Sequence, residues 1–124
     1  MEPWVINDDS SVPASSAGVV EALRSRIDSG QLETWLTSSS GRSLAFVTNA
    51  ERAMVVLLEG EGGPGEHAVD PGTAGSSDKF IRSNGQGDEY PDEDTVLIRE
   101  ALRLVEHIFG TGSWPADARW VVDR

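Results

Sequence analysis

The chain has 124 residues, no cysteine, 21 Asp and Glu against ten Lys and Arg, and a formal net charge of −11. That length supports one domain, residues 1–124, whose core needs no metal or disulfide, and the missing thiols exclude a disulfide scaffold, a cysteine nucleophile and thiolate zinc sites. The charge disfavours direct binding of nucleic acid or anionic lipid, no apolar run reaches the roughly 20 residues of a membrane span, and Met1-Glu2-Pro3-Trp4 lacks the basic and apolar regions of a secretion signal, so the expected compartment is the cytoplasm.

In chain order, Trp4-Val5-Ile6 reads as a short first strand and Asp8 to Ser16 as a polar, proline-containing connection. Val19, Val20, Leu23 and Ile27 recur at helical spacing, and Asp28-Ser29-Gly30 supplies the glycine that ends such a helix. Leu32 to Thr37 reads as a strand broken by Ser38-Ser39-Ser40-Gly41. Ser43 to Thr48 and Ala53 to Glu59 follow, separated only by Asn49-Ala50-Glu51-Arg52, which predicts an antiparallel hairpin. In Met54-Val55-Val56-Leu57-Leu58 both alternating faces are apolar, as in a central strand covered by helices on one face and at least partly covered on the other.

Gly60 to Gly75 is loop with a short strand at Glu66 to Val69, and Lys79 to Ser83 and Gln86 to Tyr90 flank the hairpin pair Asn84-Gly85. Leu97, Ile98, Ala101, Leu102, Leu104, Val105, Ile108 and Phe109 form the apolar stripe of a second helix that Gly110 and Gly112 stop, with Asp92, Glu93 and Asp94 placed to favour its start through the helix dipole. Trp114-Pro115 turns the chain into a last strand around Trp120. The expected fold is α+β: an antiparallel sheet of about five to seven strands with two helices packed mainly on one face. Trp35, Trp114 and Trp120 are expected as core or helix-packing residues, and an exposed Trp among them would be a binding anchor.

The acid is concentrated. Residues 59–94 hold ten of the 21 carboxylates and only Lys79 and Arg82 of the bases, eight of the eleven net negative charges. Within them, Gly87-Asp88-Glu89-Tyr90-Pro91-Asp92-Glu93-Asp94 sets five carboxylates beside the one tyrosine. A field of one sign gathered on part of a surface speeds encounter with a positive partner, and a solvated, solubilising loop set is the bland alternative.

Catalytic readings are poor. Gly60-Glu61-Gly62-Gly63-Pro64-Gly65 has the spacing of a dinucleotide fingerprint but no helix start after it to receive a pyrophosphate. His67 and His107 lie on unrelated segments, so no metal pair is expected. Asp88, Asp92 and Asp94 lack the glycine and distal Glu of a calcium loop. The serines at 38–40 and 76–77 have no histidine motif beside them. No enzyme activity, cofactor or metal is expected.

Gly41-Arg42-Ser43-Leu44-Ala45-Phe46-Val47-Thr48, Ala53 to Leu58, Phe80 through Asn84-Gly85 to Glu89-Tyr90-Pro91, Val96 with the helix to Phe109, and Trp114-Pro115 leading to Trp120 together resemble the Imm1 family of immunity proteins from bacterial polymorphic toxin systems. The similarity covers roughly residues 32–124 and rests on a pattern of strands, turns and one helix; residues 1–31 are less typical. It implies a small α+β protein, encoded beside a toxin, that neutralises that toxin inside the producing cell. Many such toxins carry nucleic-acid deaminase domains, including a class acting on cytosine in double-stranded DNA. The functional expectation is therefore an immunity protein that blocks the basic substrate groove of a cognate toxin, most simply a DNA cytosine deaminase; the alternative is an acidic adaptor or secretion chaperone for a basic client. The expected partner-binding residues are Glu59, Glu61, Glu66, Asp70, Asp78, Asp88, Glu89 and Tyr90, with Tyr90 as the hot spot and the carboxylates as a rim that leaves the fold unchanged when reversed.

Overall fold

The computed structural model describes residues 4–6, 9–14 (backbone only), 18–58, 65–81 and 85–122. In chain order they form β1 (Trp4–Ile6), β2 (Asp9–Ala14), α1 (Val19–Asp28), β3 (Glu33–Ser38), β4 (Ser43–Thr48), β5 (Arg52–Leu58), β6 (Gly65–Ala68), β7 (Ser76–Ile81) and β8 (Gly87–Pro91), then a 3₁₀ turn (Asp92–Asp94), β9 (Val96–Leu97), α2 (Ile98–Thr111) and β10 (Trp120–Val122). The main sheet runs β10-β6-β5-β4-β3-β1-β2, with β9 paired to the start of β5, and its pairings are antiparallel. β7 and β8 form a separate two-stranded sheet.

Strand period decides the layers. Leu36, Leu44 and Leu57 stand in one register row, and they point with Phe46, Ala53 and Val55 toward the helices. There they meet Val19 and Leu23 of α1 and Ala101, Leu104, Val105 and Ile108 of α2 in a single buried cluster. Trp4 stacks on Phe109 at 4.8 Å between ring centres, which ties β1 to α2. Arg26 of α1 donates from Nε to Thr34 Oγ1 on β3 at 2.9 Å. On the solvent side of α2, Arg103 donates to both carboxylate oxygens of Glu100 and to Asp117, and the Glu100 hydrogen bond above all raises its pKa further, so it stays charged.

The opposite face of the sheet carries Ala45 and Val47, both buried yet outside the helix-side cluster. β7 packs against β4 and its Phe80 is fully buried, so the β7–β8 hairpin covers this part of the second face. Met54, Val56 and Leu58 of β5 are half-buried there. The expected α+β fold with both helices on one side is thus present.

The differences have identifiable causes. Asp9–Ala14, read as a connection, is a strand at the sheet edge, where polar residues and a proline are tolerated because no apolar face or outward N–H is needed. Val96–Leu97 pairs with β5 before α2 begins. Gly110 lies within α2, which ends at Gly112 in the left-handed conformation, φ 83°. Trp114 is buried as expected, but Trp35 and Trp120 are 36% and 41% exposed, because both lie where a sheet face or edge is left uncovered.

The β4–β5 turn is held by side chains: Asn49 Oδ1 accepts from the Glu51 and Arg52 amides, and Thr48 Oγ1 accepts from the Ala50 amide at 2.9 Å. Ala50 is exposed there at φ 76°, a left-handed conformation that costs an L-residue roughly 1–2 kcal/mol. Ala50→Gly should stabilise the protein by about 0.5–1 kcal/mol, the gain being offset in part by the greater unfolded-state entropy of glycine. Ala50→Val should destabilise it. Urea unfolding midpoints check both, and equal midpoints for all three would contradict the strain.

Candidate partner-binding surface

The hairpin that roofs the second face also presents the acidic residues. Phe80 stands opposite Asp88 and Ser77 opposite Tyr90, while Asp78 and Lys79 bulge out between these pairs. Lys79 takes the left-handed conformation, φ 66°, which lets β7 set two residues against the single Glu89 of β8. Asn49 Nδ2 donates to the Asp78 carbonyl at 3.0 Å and fixes the bulge to the β4–β5 turn. Asp78, Lys79 and Glu89 are exposed, and Ser76 donates to Glu89 Oε2 at 2.6 Å.

Tyr90 faces inward. Its ring meets Phe80 edge-on at 5.0 Å and 73°, and its hydroxyl donates to Asp88 Oδ2 at 2.9 Å. Gln86 Nε2 donates to the other oxygen of Asp88 at 2.8 Å. Asp88 and Tyr90 therefore belong to the hairpin's own packing, in contrast to Asp78 and Glu89.

Arg52 determines where the remaining acid goes. Its side chain is 13% exposed; Nε donates to Thr95 Oγ1 at 2.7 Å, and Nη2 donates to the carbonyls of Asp92 and Thr95 and to Asp70 Oδ2, the last at 2.8 Å. Asp92 Oδ1 lies 3.9 Å from Arg52 Nε and accepts from Ser77 Oγ at 2.6 Å. Asp94 Oδ1 is 3.1 Å from His67 Nε2 on β6. β9 separates the Asp92–Asp94 3₁₀ turn from α2, and Asp92 meets Arg52 and Ser77 while Asp94 meets His67, so these two carboxylates are engaged by side chains rather than by the start of α2. Asp70 likewise holds the fold together, contrary to the expectation that its reversal is harmless.

Glu66 is apart from the hairpin. It pairs with Leu57 on the helix face and accepts from Trp114 Nε1 at 3.1 Å, at the wall of a concavity of about 430 Å³ lined by Arg42, Leu57, Trp114 and Trp120. Glu59 and Glu61 lie outside the described residues. Of the eight expected binding residues, the structure thus brings Asp78, Asp88, Glu89 and Tyr90 together on one hairpin. Only Asp78 and Glu89 of these four are exposed. The cationic anchor Arg52 was missed in sequence; its position at the end of a hairpin turn carries no signal of burial.

The chemistry of the two histidines is local. His67 pairs with Asp94, whereas His107, on α2, has its Nδ1 3.0 Å from the Ser113 carbonyl at the helix end. Among the described residues, no group of three or more His, Asp or Glu is placed to hold a metal, and no helix is long and apolar enough to cross a membrane. Comparison with known protein families and with curated proteins finds no match.

Arg52→Ala should destabilise the protein by about 2–4 kcal/mol, because it leaves a half-buried acidic cluster without its cation. Asp70→Lys should also destabilise, whereas Asp78→Lys and Glu89→Lys should stay within about 0.5 kcal/mol of the parent. Denaturant melts of the four variants check this, and an Arg52→Ala melt matching the parent would contradict the anchoring role.

Proposed function

We propose that this chain is an immunity protein that neutralises a cognate toxin by presenting the β7–β8 hairpin to a basic surface, the substrate groove of a nucleic-acid deaminase being the class of target the Imm1 resemblance suggests. The observation that carries the reading is the pair of outward carboxylates, Asp78 and Glu89, on a hairpin whose inner side is fixed by Phe80, Tyr90 and Asp88. A rigid, acidic projection loses little conformational entropy on binding and matches a groove shaped for phosphates without offering a base to process. Long-range charge governs encounter, while affinity resides in the desolvated centre of the contact.

The direct test is co-expression with the toxin encoded beside this gene: protection of the host supports the reading, binding without protection favours the adaptor role, and no binding overturns both. With the purified pair, association should slow markedly between about 50 and 500 mM salt while dissociation changes little. The double variant Asp78→Lys, Glu89→Lys should slow association further and cost about 1–2 kcal/mol of affinity at low salt. An association rate indifferent to salt and to this reversal would mean that the acid serves only solubility.

A further inference from the structure

The two ends of the main sheet differ. β2 closes one end with a strand that carries Asp9 and Pro13, residues that discourage further pairing. β10 closes the other with Trp120-Val121-Val122, uncharged and exposed at 41%, 44% and 38% in a chain of net charge −11. Among the described residues, its sole strand partner is β6. The Val69 amide donates to the Arg119 carbonyl at 3.0 Å, so by antiparallel alternation Arg119 and Val121 turn their backbone groups toward β6 and Trp120 and Val122 turn theirs outward. Trp120 is held in place by stacking on Trp114 at 6.1 Å and 12°.

We propose that β10 pairs with β10 of a second copy, antiparallel about a two-fold axis at Val121, joining two sheets into one. That register sets Trp120 of each copy opposite Val122 of the other, where the outward N–H and C=O groups of both residues meet their counterparts. Val121 and its copy then form the closer, non-hydrogen-bonded pair on the opposite face. A copy of this chain therefore fits the edge by hydrogen bonding and by the uncharged, apolar side chains that both strands offer, whereas a basic partner has no carboxylate within the strand to meet. A three-residue strand buries less than the roughly 1,200 Å² of a standard stable interface, so the dimer forms at micromolar to millimolar concentration. It does not depend on the immunity reading.

Sedimentation equilibrium of the full chain tests it. The weight-average mass should rise from 13.3 kDa toward twice that value as concentration increases from micromolar to millimolar. Val122→Pro deletes an outward N–H without touching the bonds to β6, and should abolish the dimer with an unchanged thermal melt. Val121→Lys, which sets like charges on the axis, is the second variant should Val122→Pro fail to fold. A monomer at every concentration, or a dimer that persists in Val122→Pro or Val121→Lys, would overturn the proposal.

Discussion

The half-buried guanidinium of Arg52 is the interaction on which the acidic half of the molecule depends. From the first position of β5 it reaches the Asp70 carboxylate, the Asp92 and Thr95 carbonyls and the Thr95 hydroxyl, so one side chain gathers the loop after β6, the 3₁₀ turn and the start of β9. A cation in such a place is costly unless it is paired and hydrogen-bonded. The acidic cluster meets that condition. The arrangement also fixes the base of the β7–β8 hairpin, because Asp92 accepts from Ser77 and its amide donates to Gly75.

Once Arg52, His67 and Ser77 have taken Asp70, Asp94 and Asp92, the acid that faces solvent on the hairpin reduces to Asp78 and Glu89. The same sheet that buries its Leu36–Leu44–Leu57 row under two helices buries Ala45 and Val47 under this hairpin. The hairpin is therefore mounted on the sheet, and its outward charges are separated from its packing residues by strand alternation. Glu66, on the helix face beside Trp114, takes no part in that arrangement.

Much of this was legible in the sequence where the apolar pattern is continuous. The runs at Ser43–Thr48 and Met54–Leu58, the stripe from Leu97 to Phe109 and the turn glycines lead to the observed hairpin, helix and α+β layering. β2 was not legible, because Asp-Ser-Ser-Val-Pro-Ala has no apolar alternation to mark a strand. The roles of the carboxylates were not legible either. Asp70 and Asp78 look alike as loop acids, and only the three-dimensional position of Arg52 separates a structural carboxylate from an exposed one. Tyr90 stands amid acid in the sequence, which suggests a binding anchor, but its neighbour in space is Phe80, ten residues earlier on the facing strand of the hairpin.

Amide hydrogen exchange of the chain, free and mixed with the proposed cognate toxin, tests the central claim most directly. The account predicts that binding slows exchange in residues 76–81 and 87–91 and leaves the solvent side of α2 unchanged. A footprint centred on α2 or on β10, with the hairpin amides exchanging as in the free protein, would contradict it.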